Sequence, residues 1–240
     1  MEPSVKPAGG ETILYLGLKY RKLISIVVSV VVVGVAGSLL WIRYQNHREK
    51  EAALKLSRIA IYLNPALTIN QVNGIGEADS KTKQPINPLR LAIEGDGPVI
   101  GLQEIVRQYG QGIGKTPSGT MAKLLLANAW YSLGDINNAE KLFEEASPDD
   151  PDLAAGAIAG AADCHADKKE FELAAETYQK AAEKAGNNTL KAQYLASAAS
   201  NLLAARQPAK ATALCKTIIA TYPNTTGSAL AQRTLWQITP

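Results

Sequence analysis

Three stretches of the chain carry one pattern: Ala139-Glu-Lys-Leu-Phe143-Glu-Glu-Ala146 ahead of Pro151, Ala174-Ala-Glu-Thr-Tyr178-Gln-Lys-Ala181, and Ala211-Thr-Ala-Leu-Cys215-Lys-Thr-Ile218 ahead of Pro223. Their first alanines lie 35 and then 37 residues apart. A unit of that length cannot bury its apolar face alone, so successive units must stack against one another. Apolar residues make up 46% of the chain but aromatic ones only 6%, with alanine filling the gap. Small side chains let helices approach closely, which favours helix on helix. The predicted fold is therefore all-α, an α-solenoid of helix pairs. Arrays of this kind usually hold other proteins and rarely do chemistry.

Ahead of the repeats, Leu23–Ile42 is a run of 20 residues without a charge. At about 1.5 Å per residue it reaches roughly 30 Å, the thickness of a bilayer's hydrocarbon core. Tyr20, Arg21 and Lys22 precede it and Trp41, Arg43 and Tyr44 close it, as an interfacial belt requires. A buried core helix would need cover that nothing later in the chain is apolar enough to give. A cleaved signal peptide is the sharper rival, with Val35-Ala-Gly37-Ser38 as a small-residue cut site. The long leader, and the apolar run continuing through Leu39, Leu40, Trp41 and Ile42, favour an uncleaved single transmembrane helix over 23–42. Lys19, Arg21 and Lys22 outnumber Arg43 and Arg48, so residues 1–22 are expected as a cytoplasmic tail and the repeats on the far side.

Residues 1–12, with Pro3, Pro7, Gly9 and Gly10, read as disordered. Ala52, Ala53, Leu56, Ile59, Ala60 and Leu63 recur at helical steps, which predicts an amphipathic helix running on from the span. From Asn64 to Pro98, Pro65, Gly74, Gly76, Pro85, Pro88, Gly95, Gly97 and Pro98 predict an irregular loop. Helices 50–63 and 98–109, split by this loop, would make a degenerate first repeat within 43–117. Three clear repeats over 118–240 follow, pairing helices at about 118–133 with 135–146, 151–166 with 170–185, and 189–205 with 208–221. A last helix, 226–238, would cap the array.

The repeated residues resemble the tetratricopeptide repeat family, whose second helix carries alanine, an aromatic four residues on, alanine, then proline. Ala139, Phe143, Ala146 and Pro151 match throughout. The second repeat has Gly186 where proline is expected, and the third has Cys215 for the aromatic and Ile218 for the second alanine. On the first helices Ala127, Ala162 and Ala199 take the small contact position, and Trp130, His165 and Leu202 the bulky one. The whole layout resembles the membrane-anchored, YfgM-like ancillary subunits of the bacterial Sec translocon. Glu94-Gly-Asp96 followed by Gly101-Leu-Gln-Glu-Ile-Val-Arg-Gln-Tyr109 also looks like that group. The 64–97 insertion departs from it. That resemblance implies a scaffold in the bacterial inner membrane, its C-terminal domain periplasmic, with the translocon and periplasmic chaperones as protein partners. A structural adaptor or assembly factor of another membrane complex is the alternative.

On the family pattern, the concave face is lined by the first helix of each pair. It would present Met121, Leu124, Asn128 and Tyr131, then Ala159, Asp163 and Asp167, then Gln193, Ala196 and Ser200. That face is neutral to acidic, which suits an extended apolar or basic polypeptide more than a C-terminal carboxylate. A face that binds nothing is the bland alternative.

Other motifs read as structure. Gly110-Gln-Gly-Ile-Gly114-Lys115-Thr116 lacks the spacing of a phosphate loop and follows a helix, which predicts an ordinary connection. Cys164-His165 has no metal-ligand spacing, the other histidine, His47, stands beside the span, and a packed histidine is expected. The two cysteines could pair only if adjacent repeats bring their sulfurs together, and ordinary packing is favoured. Ser147-Pro-Asp-Asp-Pro-Asp152 could bind calcium, but a turn capping the next helix fits better. Asn187-Asn-Thr189 and Asn224-Thr-Thr226 fit the glycosylation sequon, yet no glycan is expected. A net charge of +3 with no basic stripe argues against nucleic acid. No enzymatic activity, cofactor or small-molecule substrate is expected.

Overall fold

A computed structural model describes residues 20–60, 62–63 and 87–238. The predictions for residues 1–12 and for most of the 64–97 loop fall outside those bounds. Two compact units divide the chain, one up to His47 and one from Arg48 onward. The described residues form ten helices and one short hairpin.

Helix α1 spans Arg21–Ile59 without a break. It contains the whole of the apolar run, and none of its most apolar window is covered by the rest of the chain. Val33 and Leu40 keep 71% and 69% of their surface. A soluble core helix would bury these side chains; here they stand open along a segment long and apolar enough to cross a membrane. Two of its serines close on the helix itself. The Ser25 and Ser38 hydroxyls donate to the carbonyls of Lys22 and Gly34 at 2.9 and 2.6 Å, as a lipid environment demands.

In the second unit, Ala52, Ile59 and Tyr62 pack with Ala92, Ile93, Leu102, Ile105, Val106 and Tyr109. Here the structure departs from the expected loop and helix at 64–97 and 98–109. Asn87 accepts a bond from the Leu89 amide and Pro88 opens a short helix, α2, over Pro88–Glu94. Strands β1 (Gly95–Asp96) and β2 (Val99–Ile100) then form an antiparallel hairpin. Gly95 sits at φ 97°, and a β-carbon there would lie 2.4 Å from the Val99 carbonyl oxygen, so only glycine allows the turn. Helix α3 begins four residues later than the expected 98–109, covering Leu102–Tyr109. Of the residues that read as a breaker, Pro88, Gly95, Gly97 and Pro98 instead specify compact local structure.

Three helix pairs follow: α4 (Pro117–Ser132) with α5 (Ile136–Glu145), α6 (Pro151–Asp167) with α7 (Phe171–Lys184), and α8 (Asn188–Ala204) with α9 (Pro208–Thr221). Helix α10, Thr226–Ile238, packs on both α8 and α9. Starts are written in the sequence: Thr116, Asp135, Asp150 and Asn187 each accept a bond from an amide of the first turn. The turn inside each pair is one geometry used three times. Gly134, Lys169 and Arg206 all take positive φ, at 82°, 64° and 60°. The amide following each donates to Trp130, His165 and Leu202 respectively, at 3.0, 2.9 and 2.9 Å. This is the six-residue closure of a Schellman motif.

Packing keeps the same period. Ala127, Ala162 and Ala199 on the first helices, and Ala139, Ala174 and Ala211 on the second, are fully buried. Phe143, Tyr178 and Cys215 occupy the equivalent slot beyond them, all buried. Each helix packs against its neighbour in sequence, α4 through α9 in turn.

Candidate functional site

The residues expected on one binding face do not behave alike. Leu124 is 7% exposed and joins Phe143, Ala157 and Ala161 in the core, so it contributes little free surface. With Met121 it lines a small cleft of about 150 Å³, walled also by Thr120, Pro148 and Leu153. Asn128 is exposed, but its amide donates to the Leu124 carbonyl one turn back at 2.9 Å. Gln193 is exposed as well. Ala159 is buried against the cluster of Tyr178 and Leu202 and presents nothing.

Tyr131, Asp163, Asp167 and Ser200, by contrast, belong to a linked polar strip. The Tyr131 phenol on α4 lies beside Asp167 on α6, close enough for that carboxylate to raise it. The Tyr178 hydroxyl donates to Asp163, and Ser197 on α8 lines the same cleft as that phenol. Tyr178 in turn lines a cleft of about 290 Å³ with Ala196, Ser197, Ser200, Arg233 and Thr234. Ser200 Oγ lies 3.4 Å from Thr234 Oγ1. One strip therefore runs from α4 across α6 and α7 to α8 and α10.

Its electrostatics follow from burial. Loss of water raises the Tyr131 phenol, helped by nearby Asp167, and raises Tyr178 for the same reason with Asp163 beside it. Both stay protonated donors. Burial also raises Asp163, opposed by the Tyr178 bond and assisted by the charge of Asp167. The Tyr178 phenol is spent on Asp163 and Tyr131 lies beside Asp167, so what faces outward is mainly carboxylate oxygen and hydroxyl, with the Arg233 guanidinium at the α10 end.

Tyr178 and Arg233 were not foreseen in this role. Tyr178 was read only as the aromatic of the repeat, which it also is. Arg233 sits on the capping helix, and no spacing rule connects it with Ser200 more than thirty residues earlier.

The motifs read as structural take structural positions. Thr116 caps α4, accepting from the Gly119 amide at 3.0 Å, and Lys115 reaches Ser147, whose carbonyl and hydroxyl lie 3.1 and 3.0 Å from its ammonium. Asp150 caps α6. Asp152 accepts from the Gly186 amide at 2.6 Å and the Asn187 side chain at 2.9 Å. Cys164 and Cys215 are buried free thiols; burial above all, with the nearby Glu140 charge, pushes Cys164 up to about 12. His165 is buried, as a packing residue would be, but two carboxylates face it. Glu140 Oε1 and Glu170 Oε2 lie 3.1 and 2.9 Å from its Nδ1. Neither contact could be read from spacing.

Comparison with protein-family models gives no match, and no curated protein matches the chain.

Proposed function

We propose that this protein is a membrane-anchored scaffold of tetratricopeptide-like pairs that binds other polypeptides in the bacterial envelope. The observation that carries the proposal is the threefold use of one turn and one alanine contact at the sequence period. Units related in this way stack into a solenoid and leave one face uncovered. The apolar half of α1 serves as the anchor in the inner membrane, and the excess of basic residues ahead of it favours a periplasmic C-terminal domain. The resemblance to YfgM-like ancillary subunits names the neighbourhood: the Sec translocon and periplasmic chaperones.

On this reading the strip of Tyr131, Asp167, Asp163, Tyr178 and Ser200 is the contact surface. Its free acceptors suit an extended segment carrying lysine or arginine, or one offering backbone amides. The test is photocrosslinking from residues 131, 167 and 200 of the full chain in its native membrane. Crosslinks to translocon or exported chains support the proposal, and they should weaken in Asp163→Asn/Asp167→Asn. Crosslinks to one stoichiometric partner of another complex would replace it with the adaptor reading.

A further inference from the structure

We propose that Glu140, His165 and Glu170 form a binding site for a divalent transition-metal ion, Zn²⁺ being the natural candidate. The three donors come from three consecutive helices: Glu140 from α5, His165 from the last turn of α6, and Glu170 from the residue that opens α7. Their ligand atoms all lie within 4.8 Å of one another, with Nδ1 of His165 at 3.1 and 2.9 Å from the two carboxylates. A tetrahedral zinc with bonds of about 2.0–2.1 Å needs donors roughly 3.3 Å apart; the two edges from His165 come within a few tenths of an ångström of that, and the edge between the carboxylates lies within 4.8 Å.

The surroundings orient the donors. Lys168 binds the far oxygen of Glu140, Oε2, which leaves Oε1 turned to the ring. An outer partner of this kind is what fixes a metal-binding carboxylate. The Glu170 amide donates to the His165 carbonyl at 2.9 Å, so the turn itself holds these two ligands at their separation. His165 is 9% exposed, while the Glu170 side chain keeps 49% of its surface. The site is thus closed on one side and open to water on the other, where a fourth ligand can enter.

Nothing in the repeat asks for this chemistry. The positions equivalent to Glu140 and His165 in the next pair are Ala175 and Leu202, which pack as plain apolar neighbours. Glu170 corresponds to Gln207. A neutral imidazole has at most one proton on Nδ1 and cannot serve two carboxylates, whereas a cation satisfies all three groups at once. With a neutral ring, Glu140, Glu170 and Lys168 leave one net negative charge for that cation to meet. Bound there, the ion would pin α5, α6 and α7 together and stiffen the middle of the array.

The experiment uses tag-free full-length protein in mild detergent, stripped with chelator and titrated with Co²⁺ and then Zn²⁺. The expected result is a visible cobalt band at one ion per chain, displaced by zinc. The melting temperature should rise as metal is added in excess of its dissociation constant. Glu170→Gln, at a half-exposed position, should fold normally and weaken binding about tenfold or more; His165→Gln should abolish the band. Affinity should fall on acidification, because binding needs an unprotonated ring. No band and no thermal shift at about 100 µM zinc, or equal binding by wild type and Glu170→Gln, would overturn the site. Either result would leave an imidazolium salt bridge in its place and would not bear on the scaffold reading.

Discussion

At the scale of single residues, the three turns set a controlled comparison. Gly134, Lys169 and Arg206 hold the same left-handed backbone, but only the first lacks a β-carbon. A β-carbon on Gly134 would meet nothing within 4 Å, so Gly134→Ala isolates the conformational cost, about 1 kcal/mol. Lys169→Gly should be neutral or stabilising in the same thermal melt, because relief of strain offsets the added freedom of the unfolded chain. The two thiols make a second residue-level case. With Cys164 pushed up to about 12 and Cys215 also raised by burial, neither presents thiolate at neutral pH. Alkylation at pH 8 should be slow in the folded chain and should accelerate sharply once denaturant opens the pairs.

At the scale of elements, glycine and aspartate join helices that the repeat alone would only bring near. A β-carbon on Gly160 would sit 2.5 Å from the Phe143 ring, and one on Gly227 would sit 2.2 Å from the Ala192 backbone. A ring can tilt away and backbone cannot. Gly227→Val should therefore lower the melting temperature more than Gly160→Ala, by an overpacking cost of about 1–3 kcal/mol. Asp152 ties the start of α6 to the loop entering α8. The Gly186 amide, then the Asn187 side chain, hold its carboxyl below the ordinary aspartate range. A depressed carboxyl contributes stability above its unfolded value that is lost as pH falls through the folded one. Asp152→Ala should thus melt earlier than wild type at pH 7, and the gap should close below about pH 4.

At the scale of the whole molecule, the pairs bury small side chains against the next pair, so the last one needs cover. Helix α10 supplies it, packing Ala231 and Leu235 against Ala196, Ala199 and Ile218. Truncation after Thr225 should expose that patch and send the protein to aggregates on size exclusion, while Trp236→Ala, at a 68% exposed position, should leave the elution profile unchanged. Much of this order was legible beforehand. The spacing of Ala139, Ala174 and Ala211 placed the buried contacts, because helical packing is written in periods of three and four. Less of the candidate site was legible. The family pattern puts Tyr131, Asp163 and Asp167 on one face but does not give the meeting of each aspartate with a phenol, since Tyr131 and Tyr178 come from other helices. The hairpin at 95–100 was missed because the glycines and prolines that break long elements also build short ones.

The chain by itself determined an uncovered apolar helix, three like pairs and their caps, because each depends on side chains a few positions apart. Only the folded molecule decided what His165 faces. Two carboxylates reach it from neighbouring helices; a local turn brings Glu170 near, but no local rule of the backbone fixes where Glu140, 25 residues earlier, will converge on the ring.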